Sequence, residues 1–204
     1  IADGRNLHQF DGQTGANGTL TTQKFQLPVG WIITSLFDAG ELIGITAQYY
    51  PKSGWAWSAN GEKTRAAVFF WDGVSASFKK KVPVDDIQIR SSQTVNNNYY
   101  IFGLTAFGEG TIRRWDGQKF ALVNKIGSNI AYGTAPSKFY RVPSGYGCSD
   151  VWGDMMVFTS KTGNEIFLFD SKSLFNISTS PVAVANGQMS AIGVSISSIY
   201  FSSK

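Results

Sequence analysis

Few residues in this chain have the types and spacing that chemistry requires. His8 is the one histidine and Cys148 the one cysteine. A histidine-based catalytic triad, a multi-histidine metal centre and an internal disulfide therefore lack their components. Carboxylate chemistry needs less: one acid to protonate a leaving group and a second to serve as base or nucleophile. Asp86 and Asp150 stand near the starts of strand-like runs, and Glu62 lies in an irregular stretch, as does Glu109. Asp86, Asp150 and Glu62 are thus the candidate catalytic set of a glycosidase or lyase. The stretches "GEGTIRR" and "SGYGCSD" read as turns, without the strand-loop-helix context of a phosphate loop or a nucleophile elbow. No cofactor and no metal ion is expected.

Aromatic side chains offer a different chemistry, that of recognition. "YYPKSGWAWSANGEK" (49–63) places Tyr49, Tyr50, Trp55 and Trp57 in a Gly/Ser/Asn-rich setting, and the segment 127–147 adds Tyr132, Phe139, Tyr140, Arg141 and Tyr146. Rings in long loops on a rigid scaffold stack on sugar faces or anchor a protein partner, because they bury area at low entropic cost. The competing reading is a local mini-core in which the same rings cover the loops and sheet edges.

The elements that must position these residues are written as a repeat. An aromatic residue followed by Asp occurs at Phe10-Asp11-Gly12, Trp71-Asp72-Gly73, Trp115-Asp116-Gly117 and Phe169-Asp170-Ser171, with the Asp positions 61, 44 and 54 residues apart. Gly accepts positive φ and Asp bonds the local backbone, so each motif reads as a turn between two strands. Its Asp is a turn former rather than a ligand, and its ring packs between sheets. Upstream of the motifs lie two further runs rich in Ile, Val, Tyr, Phe and Thr, for example "WIITSLF" and "LIGITAQYY" around "DAGE". The unit therefore has four strands, A to D, and a proline or glycine marks the exit from D.

The ends complete the frame. Residues 1–29 supply a C and a D strand, 30–84, 85–127 and 128–182 are whole units, and 183–204 supply an A and a B strand. The expected fold is all-β, a single-domain four-bladed β-propeller with one blade shared by the two ends. Part of a larger propeller and a β-sandwich satisfy the same strand pattern. On this frame the short A–B and C–D turns share one face, and the irregular B–C and D–A connections share the other.

The repeat resembles the general β-propeller class, and the aromatic-Asp-Gly-x-x-Phe form at Trp115 to Phe120 is similar to repeats of bacterial and bacteriophage surface or tail proteins. It departs from the WD40 type, since the Gly-His element is absent, and from hemopexin-like domains, whose end-joining disulfide one cysteine cannot make. The resemblance implies a fold and, far more weakly, an extracellular or virion setting.

Composition narrows the function classes. The chain has 18 basic and 14 acidic residues among 204, and the one basic run, Lys79-Lys80-Lys81, falls inside an expected strand. No nucleic-acid partner is expected from so scattered a charge. No apolar run approaches the roughly 20 residues of a membrane span. The leading expectation is a non-enzymatic scaffold or docking module of a larger extracellular or virion assembly, with protein partners or homo-oligomerisation. A carbohydrate-binding propeller is the second, and the glycosidase or lyase the third.

Overall fold

The structure is a computed structural model and describes residues 2–10, 23–50, 65–105, 109–126, 149–159, 166–177, 189–194 and 199–203. Three short strands open the chain: β1 (Ala2–Asp3), β2 (Asn6–Leu7) and β3 (Phe25–Gln26). The first complete blade follows as β4 (Trp31–Ala39), β5 (Leu42–Tyr49), β6 (Arg65–Trp71) and β7 (Lys80–Val84). The second is β8 (Gln88–Val95), β9 (Asn98–Leu104), β10 (Gly110–Trp115) and β11 (Phe120–Ile126). The third is β12 (Ser149–Trp152), β13 (Met155–Thr159), β14 (Ile166–Phe169) and β15 (Leu174–Asn176), and the chain closes with β16 (Met189–Val194) and β17 (Ile199–Ser203).

Within each blade the strands pair antiparallel in chain order, which makes three four-stranded meanders. The all-β architecture is that of a four-bladed β-propeller, as the repeat predicts. Its terminal strands differ in one detail. Ala2–Asp3 turns back to pair with Asn6–Leu7, so the N-terminal sheet has the order β1-β2-β3, and β16-β17 form a ladder of their own. The A–B–C–D ladder expected from both ends together is thus divided between these two sheets among the described residues. The extra strand β1 comes from a tight turn at Gly4 that the sequence frame passed over.

Strand composition explains why the blades stack. β6 reads "RAAVFFW" and is buried on both faces. Its Ala67, Phe69 and Trp71 pack with Leu7, Phe25 and Leu27 of the N-terminal region, while Ala66, Val68 and Phe70 pack with Ile89, Ile101 and Phe120 of the second blade. Alternate residues of a strand point to opposite faces, so one apolar run serves two cores. A third core joins the second and third blades through Tyr100, Phe102, Ile112, Met156, Phe167 and Phe169. Burying one such side chain contributes about 1.5–3 kcal/mol.

The repeat aromatics occupy these seams. Trp71 stacks on Phe25 at 5.0 Å, Trp115 meets Phe70 across a blade boundary at 5.3 Å, and Phe169 meets Tyr100 at 5.8 Å. Phe10 is the exception, left about half exposed. The innermost strands run side by side: Ser35 of β4 bonds Ser92 of β8, Thr94 donates to the carbonyl of Asp38, and Gln93 donates to Ser149 of β12 at 2.8 Å. β4 and β8 therefore point the same way, which sorts the connections onto two faces. The A–B and C–D turns lie on one face, and the connections 50–64 and 127–148 leave from the other.

Candidate functional site

The face of short turns is built from Asp side chains. In each of the three described motifs the Asp Oδ1 accepts two backbone N–H groups: from Val74 and Ser75 at Asp72, from Gln118 and Lys119 at Asp116, and from Lys172 and Ser173 at Asp170. Asp72 also accepts from the Ser75 hydroxyl at 2.6 Å and pairs with Lys79 at 2.9 Å. These bonds favour the ionised form. The Ser75 hydroxyl and Lys79 hold Asp72 far below the usual carboxylate range, and the Lys119 and Ser173 amides lower Asp116 and Asp170 in the same direction. Asp11 lies outside the described residues.

The three candidate acids are placed differently from one another. Asp86 sits in the connection from β7 to β8 and is 2% exposed. Arg113 of β10 donates to both of its oxygens, Nε to Oδ2 at 2.9 Å and Nη2 to Oδ1 at 2.9 Å, and the Thr111 hydroxyl donates to Oδ2 at 2.5 Å. A methyl group at Gly103 would overlap the same carboxylate, so the absence of a side chain there gives Asp86 its seat. The arrangement is a bidentate interior ion pair, with geometry suited to holding the β7–β8 connection onto β10. Asp150 is half buried on β12, where its Oδ1 accepts the amide of Val151 at 2.8 Å. Glu62 lies outside the described residues. Glu109, the other acid noted in a B–C connection, pairs with Lys125 at 3.0 Å.

Of the candidate binding rings, Tyr49 and Tyr50 are described. Trp55, Trp57, Tyr132, Tyr140, Arg141 and Tyr146 lie outside the described residues, as does Phe139. Tyr49 ends β5 and is in register with Trp31 on one side and Arg65 on the other. Its ring meets Trp31 at 5.4 Å, and the Arg65 guanidinium lies over it, 4.9 Å from the centroid. Tyr50 is held by its amide, which donates to the Gly30 carbonyl at 2.7 Å, and by its hydroxyl, which donates to Gln48 at 3.1 Å.

A second cation joins this group from the outer strand. Lys81 is opposite Phe69 in the ladder, and its Nζ lies 4.3 Å from the Trp31 centroid and 5.5 Å from that of Phe69. Partial burial and the charge of Arg65 both push the Lys81 amine below its ordinary value. Its neighbour Lys80 points to the other face of the sheet and covers Trp115 at 4.7 Å. Sequence reasoning placed the three consecutive lysines inside an expected strand but weighed them only as a basic run for nucleic acid, and so missed this cluster. The period-2 alternation of a strand was the signal that separates Lys80 from Lys81.

No protein-family model and no curated protein matches the chain. Among solved structures the chain is similar to a Dos1 propeller, with a TM-score of 0.47 and 13% identity over 81% of this chain and 37% of that one. The chain spans about a third of the length of that protein.

Proposed function

We propose that this chain is a non-catalytic β-propeller module that presents its 50–64 and 127–148 face to a partner, as a docking component of a larger extracellular or virion assembly. The observation that carries the reading is the state of Asp86. This acid was the first of the candidate catalytic set, and both its oxygens are committed to Arg113 and Thr111 in the interior. A general acid or nucleophile needs an oxygen that substrate can reach. The blade faces are likewise occupied by packing, and the short turns use their Asp side chains on their own backbone. What remains for recognition is the opposite face.

The test is an Asp86→Asn variant assayed for reducing ends released from a panel of neutral and acidic polysaccharides, beside the wild-type chain. The reading expects no turnover by either protein. Turnover by the wild type that disappears in a folded Asp86→Asn variant would overturn it.

A second reading is that the partner on this face is a glycan. It is favoured by two cations, Arg65 and Lys81, held over the rings of Tyr49 and Trp31 at the root of the 50–64 connection.

A further inference from the structure

Two cations lie on the same face of one sheet at the edge of the first blade. Residues 65, 67 and 69 of β6 alternate onto the face toward β2 and β3, and Lys81 is the ladder partner of Phe69, so Arg65 and Lys81 share that face. Neither has a carboxylate partner among the described residues, where the ion pairs are those of Lys79, Arg113 and Lys125. Like charges brought together repel, and here the aromatic wall of Trp31, Tyr49 and Phe69 supplies the compensating attraction through ring quadrupoles.

Lysines on an outer strand often serve to keep that edge from pairing with another chain. That account covers Lys80, over Trp115, while Lys79 just before the strand is bonded to Asp72. It leaves Lys81, whose amine lies over Trp31 on the same face as Arg65. An anion held over this ring wall would pair with both. The Arg65 guanidinium covers the Tyr49 ring, so the wall orients cations and is poorly placed to stack on a neutral sugar. Arg offers a planar fork of donors matched to a carboxylate, and Lys adds a movable point charge. Two cations over adjoining rings suit a single compact anion, whereas a nucleic-acid strand calls for a row of them.

We propose that the Arg65–Lys81 edge binds the carboxylate of an acidic sugar, a uronate residue of a polysaccharide. This rests on the glycan reading of the face and gives that reading its ligand class.

The experiment is calorimetric titration of the full chain with tetragalacturonate, with neutral cellotetraose, and with tetraglutamate and tetrathymidylate as other anions. Arg65→Gln and Lys81→Met are the variants, the latter keeping an aliphatic stem on Trp31. The expected result is binding of tetragalacturonate that weakens at least about tenfold in each folded variant, the loss of a charge-assisted hydrogen bond. Cellotetraose binds far more weakly. Should a variant fail to fold, the wild type still decides: added salt weakens tetragalacturonate binding if the contact is ionic. Binding of cellotetraose with none of tetragalacturonate would overturn the uronate assignment and leave the glycan reading standing. Binding of neither sugar would end both. Tighter binding of tetraglutamate or tetrathymidylate, or tetragalacturonate binding unchanged in both folded variants, would also overturn it.

Discussion

Ser171 occupies a backbone position that its counterparts give to glycine. Its φ is 77°, against 79° at Gly73 and 100° at Gly117, so the third motif holds a side chain in the left-handed region. Such a residue is strained by about 1–3 kcal/mol, and glycine returns part of that as unfolded-state entropy. Ser171→Gly should therefore stabilise the chain by about 1 kcal/mol in urea unfolding; a loss of stability would show that the Ser side chain has a role of its own. The neighbouring acids give a pH dependence. Asp72, Asp116 and Asp170 are more acidic folded than unfolded, first through the Ser75 hydroxyl, the Lys119 amide and the Ser173 amide respectively. Their contribution is fully present above the unfolded value of about 4 and is lost as pH falls through the lower folded values. Thermal midpoints should drop below about pH 4, and the triple Asp→Asn variant, which keeps the acceptor oxygen, should show a shallower drop. These turns were legible because their Asp-to-amide bonds are local, spanning two or three residues.

At the scale of elements, the second blade is pinned by a contact that spacing alone does not announce. Asp86 and Arg113 are 27 residues apart, and only the β9–β10 pairing with Gly103 and the β7–β8 connection bring them together. A sequence reading therefore saw an acid near a strand start and held it as a candidate acid of its third alternative, the glycosidase or lyase. The signals for the other role were an Arg that follows Thr111 and Ile112 in a strand and alternates onto the face of Thr111, and a glycine in the strand beside it. Asp86→Ala leaves the Arg113 guanidinium buried with its main partner gone, and should destabilise by about 3–5 kcal/mol in urea unfolding. A change below about 1 kcal/mol, the range of exposed ion pairs, would mean that solvent reaches the pair. The apolar seams were easier to foresee, because "RAAVFFW" has a side chain for each face. Phe70 meets Phe37 of its own blade and Trp115 across the seam with the second blade, and Phe70→Ala should cost about 3–5 kcal/mol by the same measurement. The cation cluster was harder: it depends on which residue of β7 faces Phe69, a register that composition leaves open.

The whole molecule follows from a repeat that could be counted along the chain: four strands, a turn made by Asp, and a seam filled by the aromatic before it. Three four-stranded sheets follow one another along the chain, and the terminal strands form β1-β2-β3 and β16-β17, with Gly4 at the turn between β1 and β2. The central claim is a division of labour, in which the blades supply stability and the opposite face supplies recognition. The rival is a mini-core, in which the rings of 51–64 help hold the fold. Tyr49 and Arg65 are direct ladder partners, so a four-residue Asn/Gly-rich hairpin can join Tyr50 to Arg65 in place of 51–64. The most direct measurement is urea unfolding of that loop-replaced chain beside the wild type, followed by fluorescence and far-UV circular dichroism together. The account predicts one coincident transition with stability within about 0.5 kcal/mol of wild type, the ordinary range for surface changes. Loss of the cooperative transition, or a drop of several kcal/mol, would place those rings in the core and contradict it.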